Sequence, residues 1–256
     1  MGADGNGQRR LGADDDGPRE GESVYWQMEP AWSPDATEIA YTGVRKGVAH
    51  IFVMDADGSG ARALTSGRAN DTHATWSPDG KHLAFARDGD IYVMSSGGSD
   101  AKAISDVPAP ESDPAWSPDG RWIAYISGTP GTPVQNLWLM RPNGTGRHAL
   151  TRQGGRAYTP GWSPDGRRIV FSMNLGGKLF ELFTIGVDGK RLRRLVGTTH
   201  DNFDPAWSPD GSRIAYQEER AIFTIAVDGG DVEKLTKNAT NNLAPAWSPT
   251  TTTSEG

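Results

Sequence analysis

Trp116-Ser117-Pro118-Asp119-Gly120 sits near the middle of this 256-residue chain, and its first four residues recur at Trp32, Trp76, Trp162 and Trp207. A sixth copy begins at Trp247 and reads Trp-Ser-Pro-Thr. The Trp-to-Trp spacings are 44, 40, 46, 45 and 40 residues, the length of one four-stranded unit in a radial array. Ser, Pro, Asp and Gly suit the four positions of a type I turn. Ser opens it, Pro presets φ at the second position, Asp bonds back to the backbone and Gly closes it.

The same grammar continues outward from each turn. A short strand follows: Ile39-Ala40-Tyr41, Leu83-Ala84-Phe85, Ile123-Ala124-Tyr125, Ile169-Val170-Phe171 and Ile214-Ala215-Tyr216. After a variable loop comes a third strand, as in Ile51-Phe52-Val53-Met54 and Leu137-Trp138-Leu139-Met140. Hairpin signals follow at Asp57-Gly58, Asn143-Gly144, Asp188-Gly189 and Asp228-Gly229, and a fourth short strand closes the unit. One such sheet cannot bury both faces alone, whereas sheets stacked around an axis can. The pattern predicts an all-β propeller of four-stranded antiparallel blades, with five complete repeats plus the first strand of a sixth. The repeat Trp residues Trp32, Trp76, Trp116, Trp162, Trp207 and Trp247 are expected to be structural, packed between neighbouring blades.

Composition narrows the function. Lys and Arg number 26 against 32 Asp and Glu, a net charge of -6. That sign disfavours nucleic acid, whose affinity comes largely from basic contacts with phosphate, and it disfavours an anionic membrane surface. No run approaches the length of an apolar membrane span. There is no cysteine, hence no disulfide and no thiolate-bound metal. Residues 1–22 hold Asp14, Asp15, Asp16, Glu20 and Glu22 among Gly and Arg and lack the apolar stretch of a signal peptide. They read as a disordered leader, with the propeller running over 23–256.

These repeats resemble the TolB-like propeller family, a relative of the WD repeats. Its signature is Pro-x-Trp-Ser-Pro-Asp-Gly, then Ile-Ala-Phe/Tyr, then Ile-Tyr-Val-Met, then Asp-Gly and Leu-Thr. The match runs from about Tyr25 to Trp247. The resemblance implies a six-bladed ring, a protein or peptide partner, and a periplasmic or cell-envelope setting. A chain without a signal peptide fits the cytoplasm as well. The sixth unit stops after its first strand, so a truncated sixth blade is expected. A five-bladed ring and an open arc paired with another chain are the alternatives.

No motif specifies chemistry. The nucleophile elbow Gly-x-Ser-x-Gly is absent, and Ser163 in Gly161-Trp162-Ser163-Pro164-Asp165 belongs to the repeated turn. Polar residues instead recur just before each Trp. Three positions before it stand Glu29, His73, Asp113, Thr159, Asp204 and Ala244. Five before stand Gln27, Asp71, Glu111, Ala157, Asn202 and Asn242. Strand alternation puts both sets on one side. This predicts a channel mouth formed by Glu29, Asp71, His73, Glu111, Asp113 and Asp204, with His200 nearby in sequence. The bland counterpart is a solvated funnel whose acids cap turns.

The expected function is a non-catalytic binding module that presents its top face and axial channel to a protein, peptide or small ligand. It needs no cofactor, and a divalent cation in the channel is the one candidate. The alternatives are a metal-dependent propeller lyase or hydrolase, or the propeller part of a prolyl-oligopeptidase-like hydrolase. A metal centre of that kind needs several His, and of His50, His73, His82, His148 and His200 only His73 and His200 fall near the top face.

Overall fold

The computed structural model describes residues 24–177, 179–197, 199–236 and 244–249, so the expected leader lies outside the described residues. All regular structure among them is strand, and no helix is long and apolar enough to cross a membrane. The first sheet holds β1 (Val24–Trp32), β2 (Glu38–Arg45), β3 (Val48–Asp55) and β4 (Arg62–Ala63) in chain order. The second holds β5 (Asp71–Trp76), β6 (His82–Arg87), β7 (Asp90–Ser95) and β8 (Lys102–Ala103). The third group is β9 (Glu111–Trp116), β10 (Ile123–Gly128), β11 (Gln135–Met140) and β12 (His148–Ala149). The fourth is β13 (Arg156–Trp162), β14 (Arg168–Asn174), β15 (Glu181–Gly186) and β16 (Arg193–Val196). A single parallel pair, Gln135 with Arg156, joins these two groups into one eight-stranded sheet. The last sheet is β17 (Asn202–Trp207), β18 (Arg213–Glu218), β19 (Ala221–Ala226) and β20 (Glu233–Lys234). Neighbours within each group of four are antiparallel.

The turns form as their residues dictate. The fourth-position amide donates to the Ser carbonyl in each unit, as from Gly80 to Ser77, Gly120 to Ser117 and Gly166 to Ser163, all at 2.9 Å. The Ser hydroxyl donates to the turn Asp and accepts the amide five residues on. For Ser163 these bonds are 2.6 Å to Asp165 Oδ1 and 2.9 Å from Arg168 N. All five turn serines are buried.

Strand alternation explains the Ile-Ala-Tyr triplet. Its middle residue faces the next sheet, and its outer two face the preceding one. Ala40, Ile51 and Val53 of the first sheet therefore pack on Trp76, Leu83, Phe85 and Met94 of the second. Ala84 and Ile91 pack likewise on Ile123, Tyr125 and Met140, and Val170 and Leu182 on Trp207, Ile214, Tyr216 and Ile225. A small or branched face thus meets a large one at each junction, which fills the space without strain. The repeat Trp adds a polar stitch. Trp76 Nε1 donates to Ala31 O (3.1 Å), Trp162 to Ala115 O (3.0 Å) and Trp247 to Ala206 O (3.1 Å). Trp116 and Trp207 bury this nitrogen without a partner.

Residues 244–249 contain no strand, contrary to the expected first strand of a sixth unit. An inner strand takes its ladder partners from the second strand of its own unit, and the described residues include none for this segment. It nevertheless takes the same place as its five counterparts. All six Trp-bearing segments line one axial cavity of about 510 Å³.

Candidate functional site

The residue three before each Trp has a left-handed backbone: φ is 58° at Glu29, 55° at His73, 52° at Asp113, 47° at Thr159, 51° at Asp204 and 47° at Ala244. That conformation is uncommon for side chains of this kind. In the five inner strands it goes with a repeated β-bulge, and Ala244 adopts it outside any strand. Thr72 pairs with Ala86 and Thr75 with Ala84, so three steps on β5 oppose two on β6. The same count separates Met28 from Ala31, Ser112 from Ala115, Tyr158 from Gly161 and Phe203 from Ala206. The extra residue turns the side chain three before the Trp into the axial cavity.

Four of these side chains are ionisable, and they meet. His73 Nε2 lies 2.9 Å from Glu29 Oε1 and 2.8 Å from Asp113 Oδ1, bridging the first and third sheets from the second. Glu29 Oε2 accepts the His73 amide (2.9 Å) and the Thr42 hydroxyl (2.8 Å). Asp113 Oδ2 accepts the Ser112 hydroxyl at 2.6 Å. Asp204 accepts the Ala244 amide as Glu29 accepts that of His73. Burial alone would lower His73 and raise both carboxylates, but the contacts win. Asp113 and Glu29 hold the imidazole well above its ordinary value, and His73 holds both carboxylates below theirs. Asp204 has no such partner. Burial pushes it up to about 6 against the pull of His73, with smaller pushes from the Asp113 and Glu29 charges.

The remaining expected residues are elsewhere. Asp71 is fully buried and paired with Arg87, Nε–Oδ1 2.6 Å and Nη2–Oδ2 2.9 Å. Glu111 is buried and takes Arg147 on Oε1, while burial raises its carboxyl despite the Ser105 and Arg147 contacts. Neither lines the axial cavity. The bulge is the reason: the extra residue breaks the alternation that would have put positions three and five before the Trp on one side. His200 also lies off the axis, beside Glu218 (3.3 Å) and Glu219 (3.2 Å). Thr159, whose buried hydroxyl has no partner, and Ala244 complete the ring around the four ionisable groups. A signal for this geometry was present in Pro30, Pro114, Pro160, Pro205 and Pro245, two before the Trp. Proline cannot donate to a ladder, and inside a paired strand it marks a bulge.

Chemically, three carboxylates face one imidazolium, so the mouth carries excess negative charge. Among the described residues no group of three His, Asp or Glu is arranged to hold a metal ion.

Comparison with known proteins matches residues 19–106 and 89–253 to the family described as the TolB beta propeller domain. The Tol-Pal system protein TolB of Gluconobacter oxydans is 45% identical over 58 residues, 23% of this chain and 13% of that relative's length. The chain thus matches only a small part of the curated relative. The crystal structure of TolB from Acinetobacter baumannii superposes with a TM-score of 0.75 at 22% identity, covering 88% of this chain and 58% of that one. A gluconolactonase from Xanthomonas campestris superposes at 0.68 with 14% identity, covering 84% and 78%. At these identities the likeness is one of fold alone.

Proposed function

The chain belongs to the TolB β-propeller domain family, and from that premise we propose that it is a non-catalytic binding module whose axial mouth receives a cationic group of a protein partner. The observation that carries this reading is the meeting of Glu29, His73, Asp113 and Asp204 from four different sheets at one half-open cavity. Carboxylates crowded in this way repel one another, and a Lys or Arg side chain relieves the repulsion. The turn serines are consumed by turn hydrogen bonds, which leaves them no nucleophilic role. The Tol-Pal naming of the Gluconobacter relative supports a protein partner, and the family resemblance supports a periplasmic or cell-envelope setting. A ring of six blades fits the six segments that line the cavity.

Calorimetric titration of a Lys/Arg-rich peptide, calcium and manganese into the wild type tests the reading. We expect the peptide to bind, more weakly as salt rises because partly exposed charges are screened. Binding should also be weaker below pH of about 6, where Asp204 takes up a proton. Asp204→Asn and Asp113→Asn/Asp204→Asn should lose most of it. Heats that do not distinguish the variants from the wild type would reduce the mouth to solvated surface. Saturable binding of calcium or manganese, lost in the same variants, would point to an ion as the occupant.

A further inference from the structure

Away from the axial cluster, three aromatic rings lie in contact and partly exposed. Tyr158 and Phe180 meet edge to face with centroids 5.3 Å apart, and Phe180 and Phe203 are 5.1 Å apart and tilted by 38°. Tyr158 and Phe203 directly precede Thr159 and Asp204, which line the axial cavity. Phe180 sits at the end of the β14–β15 loop. Its amide donates to Asp201 Oδ1 (2.8 Å), and its carbonyl accepts the Asn202 amide (2.9 Å). The stripe is thus tied down by backbone bonds and runs from the cavity rim across the junction of the fourth and last sheets. The equivalent residues four before the Trp in the first three units are Met28, Thr72 and Ser112, so the stripe is peculiar to this quarter. The same loop carries Leu175, 45% exposed and one of two exposed large apolar residues among those described.

A core would bury these rings. Contiguous aromatic side chains left partly open are what interface hot spots are made of. Beside Phe203 runs a groove of about 330 Å³ whose walls include Leu179, His200, Asp201 and Glu219 and, among the described residues, no Lys or Arg. His200 lies between Glu218 and Glu219. Asp201 and Glu219 thus give the described walls an acidic character.

We propose that the Tyr158–Phe180–Phe203 stripe and the groove beside it dock a peptide segment of a protein partner that joins an apolar anchor to an adjacent Lys or Arg. The rings receive the anchor and the wall carrying Asp201 and Glu219 receives the cation. The inference rests on the binding-module reading and adds a second, separate contact to it.

The test is selection of a phage-displayed random dodecapeptide library on the full chain, followed by affinity measurement of the selected peptides. Selected sequences should pair aromatic or branched aliphatic residues with Lys or Arg. They should lose at least about tenfold in affinity for Phe180→Ala/Phe203→Ala and for Glu219→Lys. Phe180→Ser, a loop change, is the second variant should the double one melt early. Peptides that bind the stripe variants as tightly as the wild type overturn the proposal, as do acidic sequences or a selection that yields no binder. Binders indifferent to the stripe but lost with Asp204→Asn sink it while sparing the axial reading. Binders lost with the stripe but kept by Asp204→Asn uphold it as a contact separate from the axial mouth, whose own test is the calorimetric titration.

Discussion

Ala36 occupies the fourth position of its turn at φ 59°, where the other units place Gly80, Gly120, Gly166 and Gly211 at 66–70°. A side chain in the left-handed region costs about 1 kcal/mol through its Cβ, and glycine avoids that cost at some expense in unfolded-state entropy. Ala36→Gly should therefore raise stability by about 0.5 kcal/mol, read as a higher denaturant midpoint at unchanged slope. Gly166→Ala should lower it by a similar amount, about 0.5 kcal/mol, since a Cβ there would meet only the Pro118 ring at 3.9 Å and the loss would be conformational. A lower midpoint for Ala36→Gly would contradict the argument. Turn chemistry of this kind was fully legible, because it is set by residues adjacent in the chain. The left-handed backbones of Glu29, His73, Asp113 and Asp204 were not, since none of these residue types demands that conformation.

At the scale of the element, the inner strand does two jobs with one bulge. It turns the residue three before the Trp toward the axis and leaves Asp71, Glu111, Ala157 and Asn202, five before it, buried in their own sheets. Asp71 shows the difference. As a binding residue it would be replaceable without loss of stability. As the buried partner of Arg87 it is not, because removing it strands a guanidinium that stacks on Phe85 and Tyr92. Asp71→Ala should cost about 2–4 kcal/mol, toward the lower end because Arg87 is 22% exposed and can turn outward. Asp71→Leu/Arg87→Met should recover most of this loss, and neither variant should change binding of a cationic peptide in the folded protein. A stable Asp71→Ala protein that no longer binds would restore Asp71 to the channel mouth.

Over the whole molecule, the axial cluster makes stability depend on pH in opposite directions. Glu29 and Asp113 are held below their ordinary 4.5 and 3.8, so their contribution is present above those values and fades in stronger acid. His73 is raised above 6.5, so its contribution is complete below that value and is lost only as pH rises through its folded pKa. Asp204 is raised from 3.8 to about 6, so the folded state holds the extra proton between pH 4 and 6 and stability falls as pH rises across that window. Asp204→Asn should remove this fall. The variant should match the wild type near pH 4 and exceed it at neutral pH by on the order of 1–2 kcal/mol, after discounting for solvent access. Melting curves across the range decide it, and parallel profiles would mean that Asp204 ionises freely in the folded protein.

The amino-acid sequence by itself determined the all-β class, the repeat unit, the turn at each Trp and the faces of Ile-Ala-Tyr, because turns and alternation are properties of neighbouring residues. It also placed Glu29, His73, Asp113 and Asp204 in one set by their common distance from the Trp. Tertiary structure alone decided that these four meet while Asp71, Glu111 and His200 do not. The bulge reverses the phase of each inner strand, and the circular stacking of sheets brings residues from four units to one axis, so that charges remote in the chain set one another's protonation.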